Sequence, residues 1–210
     1  RIYTVDSKNP WAEAVAVKDG KILLVGSQEK VMGLAGQDTQ IIDAEGRFLL
    51  PGFFDNHCHP NCYVYKANGV QVYNCMAHEE YQQTVRQYAQ AHPELPIIKG
   101  SGWFFSDFDE NGPTRQILDA AVSDRPVLLY SGDFHNAWVN TKALEEAGID
   151  SSTKDPESGT IVRDEAGNPT GFFNEAPAVA FLESCLSGYS ADDFKDGILT
   201  FFKEANQAGI

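Results

Sequence analysis

Residues 41–60 read IIDAEGRFLLPGFFDNHCHP, and the texture of the chain changes twice within them. Ile41 and Ile42 lead into Glu45-Gly46, a pair of the kind that closes a hairpin turn. Phe48 to Asp55 is then almost continuously apolar, the pattern of a strand buried on both faces. Directly after it stand His57 and His59. Along an extended chain residues i and i+2 point to the same side, so both imidazoles can converge on one ion. Neutral imidazole is a good ligand for zinc and similar divalent metals. A His-x-His pair alone is a short motif that also arises by chance among five histidines. Its place strengthens it, because active sites of parallel α/β barrels form at the C-terminal ends of strands.

Upstream the chain is β-rich with tight turns. AVAVKDGKILLVG predicts a hairpin of Ala14 to Val17 and Ile22 to Val25, turning at Asp19-Gly20. Several such short strands before about residue 50 predict one layer of a small β-sandwich. Downstream, helix and strand patterns alternate. His78 to Ala91 carries Tyr81, Val85 and Tyr88 on one helical face, and Pro96 to Ile98 begins a strand running into KGSGWFF. Thr114 to Val122 reads as a helix, RPVLLYSG as a buried strand, and Thr141 to Ala147 as a helix closed by Gly148. GTIVRDEAGNPTGFF is a hairpin whose return strand ends at Glu175. The last helix has Ser190 as N-cap with Asp193 three residues on, an apolar face of Phe194, Ile198, Phe201, Phe202 and Ala205, and Gly209 at its end. This alternation favours an α/β fold with a parallel sheet wrapped by helices. Residues 1–50 are expected to form one domain and residues 51–210 another.

The 210 residues are 42% apolar and 22% charged, ordinary for a soluble globular protein. A net charge of −14, with no local cluster of Lys and Arg, argues against nucleic-acid partners. No apolar run reaches transmembrane length, so no membrane partner is expected. No signal peptide is visible and a cytoplasmic location is expected, although RIYTVDSKNP reads as a strand already under way. None of Cys58, Cys62, Cys75 and Cys185 forms a Cys-x-x-Cys pair, so reduced thiols are expected, with Cys185 in a helix core.

Other residues carry chemistry in one reading and structure in another. HCHPNC permits a structural zinc site through Cys58 and Cys62, but Cys58 alternates to the opposite face and a fourth ligand is needed. Asp55, two residues before His57, can orient a ligand or cap the strand end. Glu175 can bridge metals or act as a base on bound water, or serve as an acid at a helix N-terminus. His135 follows a buried strand and is either a pocket residue or a structural histidine. Lys99 could be carbamylated to bridge two metals, although most lysines are solvated.

DGKILLVG followed by IIDAEGRFLLPGFFDNHCHP resembles the opening of the amidohydrolase superfamily. PTRQILDAAVSDRPVLLYSGDFHNAWVNTKALEEAGI and GTIVRDEAGNPTGFFNEAPA resemble the branch that contains the N-substituted formamide deformylases, amidohydrolase family 3, and the likeness runs over nearly the whole chain. This resemblance implies a composite of a small β-sandwich and a (β/α)8 TIM-type barrel, both present here in part. His57 and His59 match the first two metal ligands of that family, and Glu175 matches a carboxylate ligand at a later strand end. His135 and Trp103 match positions near the substrate pocket. Phe134 stands where many relatives have glycine, which implies a differently shaped loop. The resemblance also implies one or two divalent metals, zinc first among them, and hydrolysis of a C–N bond in a small amide, formamide or cyclic amide. The remaining histidines and the general-base aspartate would come from beyond Ile210, so an N-terminal fragment without activity of its own is expected. Homo-oligomers are compatible with this reading. The rival reading is a non-catalytic binding or regulatory module on the same fold.

Overall fold

The structure, a computed structural model, describes residues 1–186 and 188–210. The chain divides into two compact units, Arg1–Asn56 with Asn206–Ile210, and His57–Ala205.

In the first unit β1 (Ile2–Tyr3) pairs antiparallel with β2 (Trp11–Ala12), and β3 (Ala14–Lys18) with β4 (Lys21–Gly26). The short helix α1 (Gln28–Met32) packs against β3 and β4. Asp19 and Gly20 have φ of 53° and 72°, both positive, as the expected two-residue hairpin turn requires. Glu45 and Gly46 repeat that geometry at 49° and 80°. The expected strand from Phe48 to Asp55 is not formed. Leu49 makes one parallel bridge to Ile2 and the Phe53 N–H donates to the Gly209 carbonyl. Pro51 has no N–H to offer. An apolar strand is buried only when neighbours pair along both its edges, and without such ladders Phe53 and Phe54 remain 60% and 91% exposed.

The second unit is built on one six-stranded sheet in the order β5-β6-β7-β8-β10-β9. Its strands are β5 (Val70–Gln71), β6 (Ile98–Trp103), β7 (Val127–Ser131), β8 (Ala137–Val139), β9 (Thr160–Arg163) and β10 (Pro169–Asn174). The helices are α2 (Tyr63–Ala67), α3 (His78–Ala91), α4 (Arg115–Asp119), α5 (Thr141–Ala147), α6 (Ala176–Cys185) and α7 (Ala191–Ala208). The fold is α/β, but the sheet is parallel only across β5, β6 and β7. There α3 and α4 provide the long crossovers that parallel neighbours need. The connection from β7 to β8 is residues 132–136, too short for a crossover, so β8 returns antiparallel. β10 pairs antiparallel with both β8 and β9.

β7 shows why the sheet sits between helices. Val127 and Leu129 face a core with Tyr81, Val85 and Ala89 of α3 and Leu118 of α4. Leu128 and Tyr130 face the opposite core, with Ala143 and Leu144 of α5 and Val179 and Leu182 of α6. Each such apolar side chain contributes about 1.5–3 kcal/mol on burial. Among the described residues no helix is long and apolar enough to cross a membrane.

Candidate functional site

His57 and His59 open the second unit, and both are exposed. Their Nε2 atoms are 3.1 Å apart and their ring planes meet at 68°. Two imidazole nitrogens held at about 2.0–2.1 Å from one tetrahedral ion lie about 3.3–3.4 Å apart. The observed pair therefore suits two neighbouring positions around a divalent ion.

His135 and Glu175 form a second pair, brought together by strand register. In β8 and β10 Trp138 stands opposite Phe172 and Ala137 opposite Phe173. Just beyond that pairing the two strands lead to Asn136 and His135 on one side and Asn174 and Glu175 on the other. His135 Nδ1 lies 3.8 Å from Glu175 Oε2, and both side chains are more than half exposed, so the contact is weak even with His135 protonated. Glu175 has φ 74° and ψ 150°, a region essentially reserved for glycine. Its N–H donates to Asn136 Oδ1 at 3.0 Å, and its carbonyl accepts the N–H groups of Ala178 and Val179 as α6 begins.

Residues 132–136 are tied down from within. The Ser131 hydroxyl donates to Asp133 Oδ1 at 2.5 Å, and the same oxygen accepts the His135 N–H at 3.1 Å. Partial burial raises the Asp133 pKa, but these two donors, the nearby His135 ring and the residue's own N–H together outweigh it and hold the carboxyl below its usual range. The Asn136 N–H donates to Ser131 Oγ at 3.0 Å, and the Ser131 N–H to the Asn136 carbonyl at 2.9 Å. Phe134 has φ 63°, so phenylalanine occupies the left-handed backbone that glycine favours, and the loop keeps the shape a glycine would give.

A cleft of about 470 Å³ joins the two pairs, since His59 and His135 both line it. Tyr63, Tyr73, Phe134 and Phe201 give it aromatic walls, and Lys66 and Cys62 also reach it. Burial and the Glu204 carboxylate, to which its hydroxyl donates, push the Tyr63 phenol up to about 12. Among the described residues no three His, Cys, Asp or Glu side chains converge as a complete metal cage.

A family model for the amidohydrolase family matches residues 40–210, which include both pairs and the cleft. The chain belongs to the amidohydrolase family. It is 32% identical to exoenzymes regulatory protein AepA of Pectobacterium carotovorum subsp. carotovorum over 84% of this chain and 39% of that protein. It is 28% identical to N-substituted formamide deformylase of Arthrobacter pascens over 98% of this chain and 38% of that protein. The solved structure of an uncharacterized metal-dependent hydrolase from Pyrococcus furiosus superposes with a TM-score of 0.62 at 27% identity, over 93% of this chain and 38% of that one. The chain thus spans about two fifths of the length of the relatives it matches.

Two other expected positions in this amidohydrolase chain, Trp103 and Lys99, do not line the cleft. Trp103 is fully buried rather than at the cleft, because its indole N–H donates to the Leu129 carbonyl and its ring packs edge-on to Trp138 and Phe172. Lys99 is the second residue of β6, donates from Nζ to the Gly188 carbonyl at 2.7 Å, and lies 4.5 Å from the Tyr189 ring. Asp55 is on exposed chain in the first unit. Cys58 is exposed, Cys62 partly buried, and Cys185 ends α6 partly buried rather than in a helix core. Sequence reasoning missed Asn136 and Tyr73. Asn136 sits where any turn-forming residue would read as loop, so only the β8–β10 register could have singled it out.

Proposed function

We propose that the whole protein is a metal-dependent hydrolase that cleaves the C–N bond of a small amide, formamide or cyclic amide. The convergence of His57 and His59 on a separation suited to one ion carries this reading. His57 and His59 would hold the metal, zinc by the chemistry of the donor set, with Glu175 as a further ligand and Asp55 as a supporting residue. A divalent ion held there lowers the pKa of bound water and polarises a carbonyl. His135 stands beside Glu175 at the cleft, where its ring can hydrogen-bond a polar substrate atom. Tyr63, Tyr73, Phe134 and Phe201 exclude water and suit an apolar substituent on the amide. The incomplete ligand set and the exposed apolar run at Phe53 and Phe54 support a chain that forms the first part of a larger barrel. The general-base aspartate would then come from beyond Ile210.

The test is to replace His57 and His59 with alanine in the full-length protein, then measure bound metal and turnover of N-substituted formamides and simple amides. Loss of both metal and turnover is expected. Unchanged hydrolysis by the double variant would overturn the assignment. Absence of metal from the unaltered protein would favour the binding-module reading instead.

A further inference from the structure

We propose that Asn136 is a positioning residue for Glu175, fixing the direction of its carboxylate beside His135; this rests on the metal-site reading above. Glu175 occupies a backbone region that only glycine enters without strain, yet the residue there is glutamate. Such strain persists only where surrounding contacts hold it. On the C-terminal side the hold is ordinary, because the Glu175 carbonyl begins the hydrogen-bond ladder of α6. On the N-terminal side it is a side chain: Asn136 Oδ1 accepts the Glu175 N–H at 3.0 Å. If that acceptor is lost, the peptide before Glu175 can turn and φ can relax to negative values. The Cα–Cβ bond then points elsewhere.

Asn136 is itself held firmly enough to act as a fixed point. Its N–H and carbonyl both bond Ser131, whose side chain is buried with β7. The same short loop carries His135, so one anchor sets the imidazole and the carboxylate against each other at 3.8 Å. A merely structural Asn136 would support the end of the β8–β10 pairing and nothing more. The two roles differ in what they do to metal affinity.

Full-length protein with Asn136→Ala, Asn136→Asp and Glu175→Gln is compared with the unaltered protein in two measurements. One is the zinc dissociation constant by competition with a chromophoric chelator, and the other is the thermal midpoint without metal. Asn136→Ala should weaken zinc about 10–100-fold, the usual effect of losing a residue that orients a ligand, while Asn136→Asp, which keeps an acceptor oxygen, should stay within about threefold. Should the alanine variant not fold, Asn136→Ser, too short to reach the Glu175 N–H, serves in its place. A lower metal-free midpoint with unchanged zinc affinity in Asn136→Ala, beside weakened affinity in Glu175→Gln, would overturn the positioning role and leave the metal site standing. Asn136→Asp as weak as Asn136→Ala would also overturn it. Unchanged affinity in Glu175→Gln would overturn the assignment of Glu175 as a ligand, and the positioning role with it.

Discussion

Asn140 accepts the N–H of Val127, thirteen residues earlier, through the same Oδ1 that accepts the N–H of Ala143 at the start of α5, both at 2.9 Å. Its Nδ2 donates to the carbonyls of Val122 and Arg125, also at 2.9 Å, and the residue is fully buried. One side chain thus fastens the entry to β7, the end of β8 and the cap of α5. Asn140→Ala removes the cap and leaves buried donors and acceptors unpaired, at an expected cost of about 3 kcal/mol or more. Urea unfolding reads this directly. A loss below about 1 kcal/mol would mean water replaces the amide and the bracket is dispensable.

Gly102 lies under Tyr73 with φ 111°, and a Cβ there would come within 2.4 Å of the tyrosine ring. Gly102→Ala combines backbone strain with overpacking, so a destabilisation of about 2–4 kcal/mol is expected. Because Tyr73 lines the cleft, its ring should shift into that space. Denaturation together with the tyrosine ring resonances would check both parts, and an unmoved ring in a stable variant would contradict the packing described.

Alkaline titration should separate native from unfolded protein. Burial first, and then the carboxylates of Glu204, Glu183 and Asp107, raise the phenols of Tyr63, Tyr65, Tyr81 and Tyr130. Tyr63 reaches about 12, whereas unfolded tyrosine ionises near about 10. The folded state therefore binds these protons more tightly. The stability this adds is complete below about pH 10 and is lost as pH rises through 12 and beyond. Tyrosinate absorbance should appear in the denatured chain first, and in the native chain together with unfolding. Ionisation of all tyrosines near pH 10 with the fold intact would contradict it.

The elements most legible in the sequence are those whose boundaries are local. α3 runs from His78 to Ala91 as its periodicity predicts, and α5 stops where Gly148 enters the left-handed region. Ser190 and Asp193 bond reciprocally, as a capping pair should. β7 is buried on both faces, as its unbroken apolar run implies. The same reasoning fails for Phe48 to Asp55, because an apolar run states what a strand would bury and not whether neighbours pair with it. The β9–β10 hairpin forms as its turn residues imply, but β8, only Ala137–Val139, is too short to leave a pattern, and with it went the antiparallel pairing of β7, β8 and β10. At the candidate site the spacing of His57 and His59 told of their convergence. The strain at Glu175 and the role of Asn136 depend on a register between strands far apart in sequence, which no local pattern carries.

β10 has two ends with different obligations. One leads into Glu175; the other begins after the turn at residues 164–168, where Asp164 accepts the N–H groups of Ala166 and Asn168 and most of the turn is exposed. Adding or removing residues at that tip lengthens a solvent loop and leaves the β8–β10 pairing as it was. Residues 132–136 have no such freedom, because Ser131, Asp133, His135 and Asn136 bond one another across them. The tip is therefore the place on this sheet to graft an epitope or a fluorophore, and a natural variant with extra residues there should keep its chemistry.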